Sequence, residues 1–325
     1  MESKKQTLSE YLYDQERKSD DMAISTLQRF HYENIIKPYE ESDKIIDLHT
    51  HTNYSDGELS PNELIRLAVK NKIGILAITD HDTVEGLNNI DYNMLELKHL
   101  RLIPGIELNA KENKGTMHIL GYNIDKDNIP LNQKLYELRS TNANRIISIL
   151  EQIKKDYNIV FDYEDLRTLF TAKHNLGRPD IAILCVKNGY ANSVQDAFDK
   201  YLKEANNKVR GKNKVLTYQE CITLILNSGG IPVLAHPKTL ELTEKELLIL
   251  IKEMVSYGLQ GIEVYHSTHT KEEIELYLYI ANKYNLLISG GSDYHGITVK
   301  PDIELGTGRN NNLKIKKLSL LDVIK

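Results

Sequence analysis

Residues 45–82 read IIDLHTHTNYSDGELSPNELIRLAVKNKIGILAITDHD, and this stretch decides the fold. Two isoleucines open a strand, after which Asp47, His49 and His51 alternate. Side chains two apart on a strand share a face, so both imidazoles point the same way, a spacing that suits two ligands of one metal ion. Asp56 follows in the turn. Ser60-Pro61-Asn62-Glu63 reads as a helix start: serine caps, proline takes the first position, and glutamate reaches back to the cap. Leu64, Ile65, Ala68 and Val69 give that helix an apolar face. Gly74 breaks it, and Ile75-Leu76-Ala77-Ile78 runs as a buried strand into Thr79-Asp80-His81-Asp82. One βα unit and the strand after it therefore each end in side chains that bind metals.

Working outward, a short helix is expected over 85–97, a third strand over 100–106 ending at Glu107, a turn at 109–114, and a fourth strand over 116–122 carrying His118. Residues 125–228 are polar and rich in lysine and asparagine, with helical stretches at 130–156, 178–188 and 196–203. No strand of comparable strength appears there, which marks a helical insertion over the mouth of the sheet. Thr217-Tyr218-Gln219-Glu220 and Thr243-Glu244-Lys245-Glu246 are capping boxes that restart the alternation. Strands at 231–235, 261–265 and 286–289 run into His236, His266, and the pair Asp293 and His295. Buried strands alternating with amphipathic helices predict an α/β fold with parallel pairing, and in such barrels the site lies at the C-terminal ends of the strands. The expected divisions are an N-terminal helical extension (1–43), a first barrel part (44–123), the insertion (124–228) and a second barrel part (229–325).

The chain of 325 residues, 41% hydrophobic and 27% charged, is ordinary for a soluble globular protein. A net charge of −5 gives no basic face for duplex DNA. The 2 cysteines, Cys185 and Cys221, lie far apart and read as small core residues in a reducing compartment. The N-terminus has neither the apolar centre of a signal peptide nor a membrane-spanning segment, so a cytoplasmic location is expected, with no membrane partner. Residues 1–43 read as a helical arm that packs on the body or on a second subunit.

The H-x-H pair followed by S-D, the helix, and the strand ending in T-D-H-D resemble the polymerase-and-histidinol-phosphatase (PHP) family of metal-dependent phosphoesterases. The match continues through Pro104-Gly105-Ile106-Glu107, Met117-His118-Ile119-Leu120-Gly121, Ala235-His236-Pro237 and Ser292-Asp293-Tyr294-His295, from about Lys44 to the C-terminus. It implies a distorted (β/α)7 barrel. It also implies three metal ions: His49, His51, Glu107 and Asp293 on one, Asp56, His81 and His295 on the second, and Glu107, His118 and His236 on the third. A nitrogen and oxygen donor set without thiolate suits Zn, Mn, Fe or Co. The positive charge left over after three carboxylates favours a small anionic substrate, a phosphate ester, attacked by a metal-bound hydroxide.

Around these ligands, Asp47 and Asp80 are candidates either to orient an imidazole or to make a buried hydrogen bond at a strand end, Asp82 has no assigned role, and Asp80 and His266 are candidate helpers in catalysis. Glu263, His266 and His269, in GIEVYHSTH, match a later motif of the family, with His269 expected at the substrate. Asn144-Arg145 and Gly177-Arg178-Pro179 resemble the branch that acts on nucleotides, removing the 3′-phosphate of nucleoside 3′,5′-bisphosphates or trimming short RNA from its 5′ end. Arg178 and Arg145 are therefore the expected phosphate readers. Histidine commonly follows that G-R-P, whereas this chain has Asp180. Competing readings are a phosphatase for another small phosphomonoester, such as histidinol phosphate, and a non-catalytic metal-binding barrel. Completeness of the ligand set discriminates against the last.

Overall fold

Seven strands stand side by side in chain order in the computed structural model, which describes residues 44–111, 114–172, 177–209 and 215–324. The barrel's first half is β1 (Ile45–Asp47), α1 (Pro61–Lys70), β2 (Ile73–Ile78), the single turn α2 (Glu85–Asn88), β3 (Arg101–Ala110) and β4 (Met117–Tyr122). Ser60 caps α1 reciprocally with Glu63, whose carboxylate accepts from the Ser60 amide at 2.9 Å. The buried face of α1 is Leu64, Ile65 and Ala68. A full helix over 85–97 does not form: α2 stops at Asn88, and a separate 3-10 turn spans Leu95–Lys98. Asparagine and aspartate side chains compete for the backbone in between; Asn89 donates to the Glu85 carbonyl and Asp91 accepts from the Asn93 amide.

The expectation of wholly parallel pairing fails at β4, which runs antiparallel to both β3 and β5. Residues 111–116 are too few for a parallel crossover, which needs roughly a dozen or more, so the chain returns as a hairpin. His118 therefore sits near the start of β4, opposite Asn109. The reversal brings it to the rim that Glu107 reaches from the other direction.

Between β4 and β5 come α3 (Ile129–Tyr157), α4 (Tyr163–Ala172), α5 (Arg178–Lys187), α6 (Val194–Ala197) and α7 (Lys203–Val209). The last two are joined through a π-helical turn, Phe198–Leu202. The sequence did not announce α4, although Asp162 opens it by accepting from the Asp165 amide at 2.7 Å. Then α8 (Tyr218–Asn227), β5 (Ile231–Leu234), α9 (Glu244–Ser256), β6 (Gly261–His266), α10 (Lys271–Tyr284) and β7 (Leu287–Gly291) restore the alternation.

Past Asp47 the chain runs between β2 and β7 on single backbone bonds. Leu48 donates to Gly290, His51 to Tyr294, and Asp293 back to His49. These nearly close the barrel. Gly291 is required at the seam, because a Cβ there would lie 2.3 Å from the His49 amide nitrogen. One face of the sheet, with Leu76, Ile78, Ile262 and Val264, packs on α1, α8, α9 and α10. The alternate residues, including Ile75, Ala77, Ile103, Leu120 and Val233, pack on Leu313, Ile315, Leu318 and Leu320 of the C-terminal segment. Both cysteines are buried and free. No helix of the described residues is long and apolar enough to cross a membrane. The arm expected over 1–43 and its role in assembly lie outside the described residues.

Candidate metal centre

The strand ends deliver the site. His49 and His51 follow β1, and their rings lie 5.3 Å apart. His81 follows β2, where the ladder to β3 continues: Asp82 donates to the Glu107 carbonyl, Glu107 donates to the Asp80 carbonyl, and His81 bridges to Glu107. Glu107 is wholly buried at the centre of the cluster. Its Oε2 lies 3.0 Å from His49 Nε2, 3.1 Å from His51 Nε2 and 3.3 Å from His81 Nδ1. Its Oε1 lies 2.7 Å from His118 Nδ1 and 3.0 Å from His236 Nε2. One carboxylate thus touches five imidazoles.

Asp293 and Asp56 flank this centre. Asp293 Oδ1 is 3.3 Å from His51 Nε2 and 3.4 Å from His295 Nδ1. Its Oδ2 faces Lys300 Nζ and His266 Nε2. Asp56 Oδ1 is 3.2 Å from His295 Nε2, and Asp56 Oδ2 is 3.9 Å from His81 Nε2. Two of these residues hold unusual backbone: Asp293 has φ +58° and His236 has φ +22°. Aspartate tolerates the left-handed region, but histidine there is strained, and strain of this kind collects at functional sites.

The electrostatics say what such a cluster needs. Burial alone would raise Glu107, yet His81, His49 and His118 hold it well below the usual carboxylate range. Asp56 and Asp293 behave alike, the first held down by His295 and His81, the second by Lys300 and His295. Burial pushes His118 and His295 down to about 4, so both present neutral nitrogens. His51 goes the other way: Asp293 and Glu107 outweigh its burial and bring it up to about 9. The carboxylates demand positive charge, and Glu107, Glu263 and Asp293 outweigh burial at His49 too, raising it well above the usual imidazole range. Both ring nitrogens of His51 and Oδ1 of Asp56 are nevertheless buried without a well-formed hydrogen bond. Buried polar atoms are normally satisfied, and divalent cations satisfy lone pairs that face one another.

Four groups of donor atoms lie close enough together to share an ion. They are His51, Asp56, His81 and His295; His49, His51, Glu107 and Asp293; His81, Glu107 and His118; and His49, Glu263 and His266. His236 Nε2, 3.2 Å from His118 Nδ1, joins the third. All nine residues singled out in the sequence as ligands meet here, with His49, His51, His81 and Glu107 each reaching two groups.

Their neighbours have other work. Asp80 accepts from the Thr52 amide and hydroxyl and from the Ser55 hydroxyl, so it fixes the turn that carries Asp56. Asp47 accepts from Ser292 and Gly306 and ties β7 and a following hairpin to β1. Asp82 accepts from Asn109. Asp47 and Asp80 thus make the buried strand-end hydrogen bonds that stood as the alternative to an imidazole-orienting role, accepting from backbone and hydroxyl groups. His266 accepts from the Thr268 amide through Nδ1, which leaves its proton on Nε2, aimed at Asp293 Oδ2. His269, expected at the substrate, lies instead in the interior: it is buried, donates to the Val264 carbonyl, and packs edge-on against Tyr277.

A cavity opens above the cluster, floored by Asp56, His81, Glu107, His118, His236, Asp293 and His295. Its wall includes Arg145 from α3, Arg178 at the start of α5, Phe198, Asn109 and Lys300. Arg178 stacks over Phe198, with its Cζ 5.8 Å from the ring centroid, and Arg145 donates to Asn206 at 2.6 Å. Asp180 is buried and accepts from the Gly177 amide at 2.7 Å. It closes the first turn of α5 on which Arg178 sits. Sequence reasoning passed over Phe198, since a phenylalanine in a polar helix carries no ligand spacing, and Lys300, which opens a stretch (Lys300-Pro301-Asp302-Ile303-Glu304-Leu305-Gly306) that resembles the nucleotide branch, had no role of its own there.

The PHP domain family model matches residues 47–222. The 5′-3′ exoribonuclease Rnm of Escherichia coli K12 is 33% identical over 271 residues, covering 81% of this chain and 88% of the relative. The 3′,5′-nucleoside bisphosphate phosphatase of Chromobacterium violaceum is 27% identical over 255 residues, covering 77% and 87%. A solved structure from the same bacterium, described as an amidohydrolase with bound sulfate and no metal, superposes with TM-score 0.68 at 27% identity over 78% of this chain and 89% of that one.

Proposed function

We propose, from the premise that this chain belongs to the PHP-domain family and is a metal-dependent phosphoesterase, that it cleaves the 3′-phosphoryl group of a ribonucleotide that also carries a 5′-phosphate. A nucleoside 3′,5′-bisphosphate and the 5′-phosphorylated end of a short RNA both present that unit. The observation that carries the reading is the pairing of a nine-residue ligand cluster with two arginines on the wall of the same cavity. His49, His51, Glu107 and Asp293 would hold one ion, Asp56, His81 and His295 a second, and His118 and His236 a third with Glu107 shared. The buried ring nitrogens of His51, without a well-formed hydrogen bond, and the low position of all three carboxylates fit that occupancy. Bound divalent ions would supply Lewis-acid charge and a water acidic enough to be deprotonated near neutral pH.

The chain's own residues do the rest. The cluster fixes the scissile phosphoryl group on the cavity floor, and the second phosphate needs a cation elsewhere. Arg178 meets that need: a guanidinium holds phosphate through two parallel hydrogen bonds, and stacking on Phe198 keeps it extended from α5. Arg145 stands beside it on α3.

Metal analysis of protein purified without chelator is expected to give about three transition-metal ions per chain, because nine donors at roughly three per ion require that many. A constant content of one or none, with no gain on adding Mn or Zn, would sink the trinuclear reading. Arg178→Ala is expected to lower kcat/KM for a nucleoside 3′,5′-bisphosphate by roughly 1.5–3 kcal/mol, about 10- to 150-fold. A simple aryl monophosphate should be hydrolysed nearly as before. Equal losses on both substrates, or none on either, would remove Arg178 from substrate recognition.

A further inference from the structure

Glu263 is a charged side chain in the middle of β6, wholly shielded from solvent. Its strand neighbours Ile262 and Val264 face the helix layer, so Glu263 points to the opposite face of the sheet. The β6–β7 register slips between Glu263 and Tyr265, and irregularities of this kind re-aim side chains next to active sites. Burying an isolated carboxylate is costly unless its oxygens are satisfied. Glu263 satisfies both, and each partner belongs to a proposed ligand. Oε1 lies 3.0 Å from His49 Nδ1, and Oε2 accepts from the backbone amide of His236 at 2.7 Å.

The structure assigns Glu263 the role of a positioning residue that fixes two ligands at once, locking the His49 ring with its proton on Nδ1 and anchoring the His236 backbone. This rests on the metal-centre reading above. A carboxylate accepts and does not donate, so the ring nitrogen that faces Glu263 carries hydrogen. With an ion bound, the lone pair of His49 would then lie on Nε2, the side facing Glu107 and Asp293 at 3.0 and 3.6 Å. The second contact acts where the backbone is strained: His236, at φ +22°, is held by its amide while its Nδ1 meets the Thr239 hydroxyl at 2.9 Å. Because His49 and His236 belong to different donor groups joined by Glu107, one carboxylate would align two of the ion positions. Partners of this kind behind ligand imidazoles set ring orientation and basicity, and their loss typically costs about 10- to 100-fold in metal affinity.

Glu263→Gln keeps the shape of the side chain and retains only one acceptor oxygen, so it is the decisive variant. Zn²⁺ affinity is measured by competition with a chromophoric chelator, alongside thermal unfolding of the chelator-stripped protein. The expected result is a 10- to 100-fold weaker Zn²⁺ affinity, with metal-free Tm within a few degrees of wild type. Glu263→Ala, if it folds, should bind weaker still. Unchanged Zn²⁺ affinity in Glu263→Gln would overturn the assignment, as would a fall in metal-free Tm with no change in affinity, which marks a purely structural carboxylate. Failure of the wild type itself to bind Zn²⁺ tightly would instead overturn the metal-centre reading on which the assignment stands.

Discussion

Glu107→Gln is expected to give a folded protein that turns over phosphate esters at a thousandth of the wild-type rate or less, on the order of 4 kcal/mol or more in the barrier. The magnitude follows from its position. Glu107 is the one side chain in contact with His49, His51, His81, His118 and His236, so it links the donor groups. Gln occupies the same volume but carries no charge, and one of its two ends is an NH2 group with no lone pair to offer an ion. Loss of the shared anion therefore weakens every ion position that includes it. The side chain sits at the rim end of a ladder whose backbone bonds to Asp80 and Asp82 remain intact, so the barrel should persist. Circular dichroism and metal content measured with the rate separate the outcomes. A variant that keeps near wild-type turnover at saturating metal would show that Glu107 is not the bridging ligand. A variant that fails to fold would show that the carboxylate holds the barrel together as well as the ions.

What could be read from the sequence depended on how local the cause was. The helix α1 was legible because its cap, its proline and its apolar stripe all lie within residues 60–69. The candidate ligands could be picked out because histidines and acids at strand ends recur with the element spacing, and the structure brings these nine side chains together in one cluster with Glu107 at its centre. The reversal of β4 has its cause in the short connection after Ala110, which the alternation of strands and helices along the rest of the chain masks. The partners of Asp47, Asp80 and Glu263 were not legible. Asp47 reaches Ser292 and Gly306, and Glu263 reaches His49, contacts between residues more than 200 positions apart. Only closure of the barrel decides which hydroxyl, amide or ring each buried acid meets. His269 misled for the same reason: its spacing from His266 reads as a pair of site residues, while packing turns it into the interior.

Stripped of metal, the protein is expected to be most stable near pH 6.5 and to lose stability on both sides. The two limbs have different owners. His118 and His295 are held at about 4 when folded, mainly by burial, against 6.5 for an ordinary imidazole. The unfolded chain thus binds their protons better, so their contribution is full above pH 6.5 and is lost as pH falls towards 4. Between pH 6.5 and 5 the two together account for roughly 3 kcal/mol. Asp56, Glu107 and Asp293, all held low, keep their contribution until pH falls below the unfolded carboxylate range near 4 and extend the acid limb downward. His51 has the opposite sign. Raised to about 9 by Asp293 and Glu107, it stabilises fully below pH 6.5 and loses that contribution as pH rises through 9, again roughly 2–3 kcal/mol, and His49, raised well above the ordinary range by Glu107, Glu263 and Asp293, adds to the same limb. Thermal unfolding of chelator-treated protein at pH 5, 6.5 and 9 should show the highest Tm at the middle value. Loading with Zn²⁺ should remove the alkaline limb, because a bound cation replaces the proton that the carboxylates otherwise draw onto His51. It should steepen the acid limb, since protons then compete with the ion for every imidazole. If Tm of the stripped protein rises steadily from pH 5 to 9, His51 does not carry the compensating charge. If the alkaline limb survives metal loading unchanged, His51 is not where the ion binds.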